Sequence, residues 1–88
     1  HDMVLPNMSV GVGDTYTLDL ARFYRDGERL TYTCSLGGDV AEASVQGTIL
    51  TLKGKSEGTA RLTVKASNGN EQTVVVTVRK QVSTHGWL

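Results

Sequence analysis

The chain offers few side chains that could carry out catalysis or hold a transition metal. It contains one cysteine, Cys34, and two histidines, His1 and His85, which lie at opposite ends of the sequence. A nucleophilic site needs a base within hydrogen-bonding reach, and a structural zinc site needs about four ligands. These three residues supply neither set, so the sequence predicts no catalytic residue. Cys34 shares the apolar face of its segment with Tyr32 and Leu36 and is interpreted as a small buried hydrophobe.

Aromatic rings are the second group that could recognise a ligand, because they stack on the faces of sugars. The sequence has only five: Tyr16, Phe23, Tyr24, Tyr32 and Trp87. By alternation Tyr16 and Tyr32 point inward, whereas Phe23 and Tyr24 are adjacent, so one of that pair is expected at the surface. Tyr24 is therefore the candidate glycan ligand. Packing in the core is the alternative interpretation of these rings.

Regular alternation of apolar and polar residues is the strongest structural signal in the sequence. Four segments alternate clearly, at 15–20, 30–36, 59–66 and 73–78, and three shorter strand candidates lie at 8–12, 43–46 and 48–53. Leu62 and Val64, for example, fall on one face of their segment while Arg61 and Thr63 fall on the other. Eleven Val, eleven Thr and one Ile also favour strands, because β-branched side chains suit a pleated surface.

Glycine-containing turns separate these segments at the spacing of a β-sandwich. Asn68-Gly69 predicts a tight type I′ hairpin between the last two strands. Gly58 opens a strand after a sharp corner and is expected to have a positive φ. The stretch 21–24 is long enough for a single helical turn.

Seven short strands of this kind can bury their apolar faces only against one another. We therefore predict an all-β fold, a seven-stranded immunoglobulin-like antiparallel β-sandwich, although the Cys…Trp…Cys signature of true immunoglobulin domains is absent. The domain is placed at residues 7–82. Residues 1–6 are predicted to form an N-terminal extension, and residues 83–88 a C-terminal tail or a linker.

The charge balance excludes some partners. Nine Lys plus Arg against nine Asp plus Glu give a formal net charge of zero. A nucleic-acid-binding domain usually carries a basic patch, so no nucleic-acid partner is expected. No apolar run approaches the roughly 18–20 residues that span a bilayer, so membrane insertion is not expected either.

The order of several motifs resembles a known family. These motifs are the segments 10–20, 23–28, 30–32, 48–52, 57–60, 62–69 and 74–78. Together they are similar to bacterial immunoglobulin-like and cadherin-like modules, including the dystroglycan-type cadherin-like domains. The resemblance covers roughly residues 8–79. It implies a module strung along a secreted or cell-surface protein, with neighbouring domains of a longer chain as its partners.

The resemblance also implies one candidate metal site. Members of this family often carry an acidic loop between the second and third strands that can bind calcium. The matching stretch here is 25–29, in which Asp26 and Glu28 occupy acidic positions and Asp19 is a third candidate ligand. The stretch is shorter in acidic residues than the family pattern, and Arg25 and Arg29 flank it. Pairing of these carboxylates with the two arginines is the alternative to calcium.

Two functional hypotheses follow from the fold and the resemblance. The first is a non-catalytic module of a bacterial extracellular or cell-surface protein, which has no cofactor and separates or presents neighbouring domains. The second is a calcium-dependent adhesion or glycan-binding module, whose partner would be a surface glycan or a protein.

Overall fold

The structure is a computed structural model that describes residues 4–80. These residues form two β-sheets packed face to face. The strands are β1 (Met8–Gly11), β2 (Thr15–Asp19), β3 (Tyr32–Leu36), β4 (Ala41–Gln46), β5 (Ile49–Gly54), β6 (Gly58–Ala66) and β7 (Glu71–Arg79). Two short 3-10 helices, Leu20–Phe23 and Gly27–Arg29, connect β2 to β3. The seven-stranded immunoglobulin-like sandwich predicted from alternation is confirmed. The predicted tail 83–88, with His85 and Trp87, and His1 lie outside the described residues.

The two sheets differ in size and in the direction of one strand pair. One sheet has the order β1-β7-β6-β3 and the other has the order β2-β5-β4. All neighbours are antiparallel except β1 and β7, which pair in parallel with Met8 opposite Val76. The expectation of a purely antiparallel sandwich was therefore wrong for β1. A parallel pair needs a long crossover connection, and the five strands between β1 and β7 supply it.

The core lies between the sheets and follows the predicted alternation. The largest fully buried side chains are Leu20, Leu50, Leu52, Leu62, Val64, Val76 and Val78. Leu5 is also buried, at 2% exposure, and packs in the same cluster. The packed unit thus includes a residue that the sequence analysis placed in the N-terminal extension.

At one edge of the sandwich the chain passes from one sheet to the other beside Gly54. The Val12 amide donates to the Arg79 carbonyl at 3.0 Å, and the Gly13 amide donates to the Gly54 carbonyl at 2.9 Å. A Cβ at position 54 would collide with the carbonyl oxygen of Gly11. Only glycine lets β1 and β5 approach this closely, so Gly54 fixes the spacing of the sheets at this edge.

The hairpin between β6 and β7 forms where Asn68-Gly69 predicts it, but with another turn. The Gly69 amide donates to the Ala66 carbonyl at 3.0 Å, and the Ala66 amide donates to the Asn70 carbonyl at 2.9 Å. Gly69 has φ 94°, whereas Asn68 is not among the residues with positive φ. A type I′ turn needs positive φ at both central residues, so that prediction was wrong. The geometry is that of a three-residue loop ending in a left-handed glycine. The predicted positive φ of Gly58, 153°, is confirmed.

Among residues 4–80 there is no helix that is long and apolar enough to cross a membrane.

Candidate functional site

The segment 20–31 between β2 and β3, here called the β2–β3 corner, contains most of the predicted site residues. Asp19, the residue just before the corner, caps the first 3-10 helix, since its carboxylate oxygen Oδ1 accepts a hydrogen bond from the Ala21 amide at 3.0 Å. The Leu20 amide donates to the Thr48 carbonyl at 2.8 Å, which ties the corner to the start of β5. Asp19 therefore has a structural role at this position, because it satisfies an amide that the short helix leaves without a partner.

Gly27 is the central residue of the corner. It is buried, and a Cβ at this position would collide with the backbone of Ala21. Its carbonyl oxygen accepts a hydrogen bond from the Tyr32 hydroxyl at 2.7 Å and another from the Leu30 amide at 3.3 Å. The Asp26-Gly27 pair was predicted only as a turn, but in the structure it lies where the two 3-10 helices and β3 contact one another. A tyrosine five residues after such a turn, at the start of a strand, is the signal that could have revealed it.

Tyr24 lies inside the domain and does not form an exposed platform. It is 5% exposed, and its ring packs on that of Tyr32 with the centroids 5.4 Å apart and the planes tilted by 52°. One of the pair Phe23 and Tyr24 was expected at the surface; Tyr24 is not that residue, so its ring is not available to stack on a sugar. The adjacent residue Phe23 is half-buried against the core. Adjacent residues in a helical turn do not alternate as they do in a strand, and burial of Tyr24 follows from its contact with Tyr32.

Gln72 connects the β2–β3 corner to the beginning of the chain. Its side-chain oxygen accepts a hydrogen bond from the Leu5 amide at 2.8 Å, and its nitrogen Nε2 donates to the Tyr24 hydroxyl at 3.4 Å and to Asn70 Oδ1 at 3.2 Å. Thr31 and Ser67 add a second link, because the Ser67 amide donates to the Thr31 carbonyl at 2.9 Å. The entering chain, the corner and the β6–β7 hairpin are thus joined at one end of the sandwich.

The predicted calcium ligands are near one another in sequence but serve different local structures. Asp26 has a left-handed backbone, φ 56° and ψ 32°, and its carbonyl accepts a hydrogen bond from the Arg29 amide at 2.9 Å. Asp26 and Glu28 are exposed, whereas Asp19 lies at the opposite end of the corner as a helix cap. Within residues 4–80 no group of three or more acidic, histidine or cysteine side chains gathers closely enough to hold a metal ion.

Cys34 lies near the middle of β3 and is half-buried against the core. Burial raises the pKa of its thiol above the ordinary value, because desolvation disfavours the thiolate. A thiol with a raised pKa is a weak nucleophile at neutral pH. Its position agrees with packing, although it is less buried than the sequence predicted.

Comparisons with known proteins place this geometry among related folds. No family model matches the sequence, and no curated protein matches it. Domains 4 and 5 of the S-layer protein SbsC match with a TM-score of 0.66 and 21% identity, covering 85% of this chain and 48% of that one. The PKD domain of the KIAA 1837 protein matches with a TM-score of 0.61 and 20% identity, covering 97% and 91% of the two chains. The chain is an immunoglobulin-like β-sandwich.

A third similar structure is an enzyme. The immunoglobulin-like sandwich matches part of an endo-fucoidan hydrolase of glycoside hydrolase family 107 with a TM-score of 0.61 and 21% identity. It covers 90% of this chain but only 13% of that one. The chain likewise spans about half of the S-layer fragment, 48%. At these identities the similarity establishes the fold and the recurrence of this sandwich within longer chains, but not an activity.

Proposed function

We propose that this sandwich is a non-catalytic module of a bacterial extracellular or cell-surface protein, in which it holds neighbouring domains apart. The observation that carries the proposal is the parallel pairing of β1 with β7. Leu5 bonds to Gln72 near the beginning of β7, whereas Arg79 ends the strand. The chain therefore enters at one end of β7 and leaves at the other. At about 3.3 Å per residue, the seven residue steps from Gln72 to Arg79 separate these points by about 23 Å.

The arrangement of the two ends suits a tandem array. A domain whose ends lie together would hang from its chain as a side branch, whereas one whose ends lie apart adds its own length to the chain. The network around Gln72 also fixes the entering segment against the domain, which limits bending at that end. The similarity to domains of an S-layer protein and to a small part of a hydrolase supports a role within longer chains.

The experiment is a ruler assay. One, two or three copies of residues 1–88 are placed between a surface anchor and a fluorescent reporter, and the height of the reporter above the surface is measured. We expect the height to rise by an equal step of at least about 23 Å for each copy. Glycine-serine linkers with the same number of residues serve as the control, because their span grows only with the square root of their length. Heights that follow the linker series would exclude the spacer role.

The alternative, calcium-dependent adhesion or glycan recognition, uses the same scaffold in another way. Binding loops generally sit on rigid frames, and the β2–β3 corner is such a loop. It presents Asp26 and Glu28 to solvent but does not present the ring of Tyr24. A protein ligand or a charged glycan would therefore have to be recognised through polar side chains and not through ring stacking.

A further inference from the structure

Strand β3 forms an edge of the four-stranded sheet, so one side of its backbone has no strand paired with it in that sheet. The β3–β6 ladder uses the odd-numbered residues of β3: the Ser67 amide donates to the Thr31 carbonyl, and the Gly37 amide donates to the Arg61 carbonyl. By the alternation of an antiparallel ladder, the amides of Cys34 and Leu36 point away from β6 toward the open edge. Segment 30–37 contains no charged residue and no proline, which are the features that usually protect an edge from pairing.

Two residues of opposite charge lie beyond the two ends of β3, at equal sequence distances from Cys34. Arg29 is five residues before Cys34, and Asp39 is five residues after it. Both residues are exposed. Arg29 is in the second 3-10 helix, and Asp39 comes after Gly38. If two antiparallel β3 strands pair about a twofold axis at Cys34, the end of each copy that carries Arg29 lies beside the end of the other copy that carries Asp39. The pairing therefore brings unlike charges to both ends of the paired strands.

The geometry points to a symmetric dimer in which β3 of one copy pairs with β3 of a second copy of the same chain. The register places Cys34 opposite Cys34, with their Cα atoms about 5.5 Å apart as in any hydrogen-bonded antiparallel pair. Thr33 faces Ser35 of the second copy, where small hydroxyl side chains can form cross-strand hydrogen bonds. The two four-stranded sheets become one continuous sheet of eight strands. This interface does not depend on the spacer role.

The other two long edges are better protected, because each carries a charged residue within its strand, Asp19 in β2 and Glu42 in β4. Glu42 is also engaged with Lys55, at 3.8 Å. Strand β3 carries no charged residue, so it is the long edge most open to pairing.

The first test measures association and its location in residues 1–88. Sedimentation velocity from micromolar to millimolar protein gives the dimer affinity. Amide hydrogen exchange at the same concentrations reports which edge is used. We expect the amides of Cys34 and Leu36 to become protected as the dimer forms. The amides of Thr33 and Ser35 should be protected at all concentrations, because they already pair within the chain with β6.

The second test exchanges the two charges. Arg29→Asp and Asp39→Arg should each weaken the dimer by at least about tenfold, because two unlike pairs become two like-charge contacts. The double variant R29D/D39R restores unlike pairs and should recover the original affinity. Arg22→Asp, another exposed arginine near the corner, is the matched control and should leave the affinity unchanged. All four variants change exposed side chains, and the midpoint of unfolding of each confirms that it folds.

Each result of these two tests either supports or overturns the proposed interface. Concentration-dependent protection at Cys34 and Leu36, with loss in both single variants and recovery in the double variant, supports the interface. A chain that stays monomeric at millimolar concentration overturns it. A dimer that protects other amides, or one that the charge exchanges do not affect, also overturns it, because association would then use another surface. The ruler assay is insensitive to these variants, so the two proposals can fail separately.

Discussion

The hydroxyl of Tyr32 donates a 2.7 Å hydrogen bond to the carbonyl oxygen of Gly27, and this bond joins the first residue of β3 to the centre of the β2–β3 corner. Both residues are buried. The contact resembles the tyrosine corner of immunoglobulin domains in its chemistry, since a strand tyrosine bonds to a backbone carbonyl a few residues upstream. Its main effect is to hold two short 3-10 helices that would not be stable alone.

Tyr32→Phe should destabilise the domain by about 1–3 kcal/mol, because it removes the donor and leaves a buried carbonyl less satisfied while the ring still fills its place. Urea unfolding followed by fluorescence measures the change. Tyr16→Phe is the control, since Tyr16 is only half-buried and is the second residue of an edge strand. Equal effects of the two variants would show that the Gly27 contact contributes nothing specific.

Gly54→Ala should destabilise the domain by about 1–3 kcal/mol or more, because the added Cβ would collide with the carbonyl of Gly11, which belongs to the backbone and cannot rotate away. Gly37→Ala is the matched control, since a Cβ there has no atom within 4 Å. Thermal unfolding of both variants tests the difference. A Gly54→Ala domain as stable as the parent would mean that β1 and β5 can separate without cost.

Leu62→Ala should cost about 2–5 kcal/mol, because Leu62 is fully buried between the sheets and its truncation leaves a cavity. Val75→Ala, on the other face of β7, should change the free energy of unfolding by no more than about 0.5 kcal/mol. Val75 is 39% exposed and therefore leaves no enclosed cavity. Similar losses in the two variants would contradict the assignment of the core face.

Stability should fall at alkaline pH through Cys34. Desolvation raises the pKa of this thiol in the folded domain. Below about pH 8.5, the ordinary thiol pKa in the unfolded chain, the thiol is neutral in both states and the free energy of unfolding does not depend on its titration. As the pH rises from there through the higher folded pKa, the unfolded chain loses the thiol proton first and the free energy of unfolding falls. Denaturant midpoints of the parent and Cys34→Ser between neutral and alkaline pH isolate this effect. Parallel pH dependence of the two proteins would show that the thiol does not contribute.

Calcium should leave the melting temperature unchanged within about 2 °C, because the cap role of Asp19 withdraws it from Asp26 and Glu28 and two exposed carboxylates bind the ion weakly. Melting in millimolar calcium and then in chelator measures it. A rise of about 10–20 °C, abolished by Asp26→Asn, would instead establish the calcium-dependent module.

Local pattern predicted much of this fold and little of its corner. Alternation at Leu62 and Val64 is a property of neighbouring residues, and it identified both the strand and its buried face. The parallel pairing of Met8 with Val76 joins residues far apart in sequence, and no local pattern encodes it. Burial of Tyr24 likewise depends on Tyr32 across the corner, and burial of Leu5 depends on β7. Contacts with other elements decided the direction of β1 and the burial of Tyr24 and Leu5, whereas the turn at Asn68-Gly69 differs from the prediction for a local reason, the backbone angle of Asn68.

The direction of β1 relative to β7 has a consequence for a chain under tension. Pulling on the two ends would draw β1 and β7 in opposite directions along their common axis, because the strands are parallel and the chain enters and leaves at opposite ends. The ladder from Met8 to Gly11 would then be loaded in shear, with all its hydrogen bonds strained together. An antiparallel hairpin pulled from its open end breaks one bond at a time. This sandwich should therefore resist a larger stretching force before it unfolds than a domain whose terminal strands separate one hydrogen bond at a time.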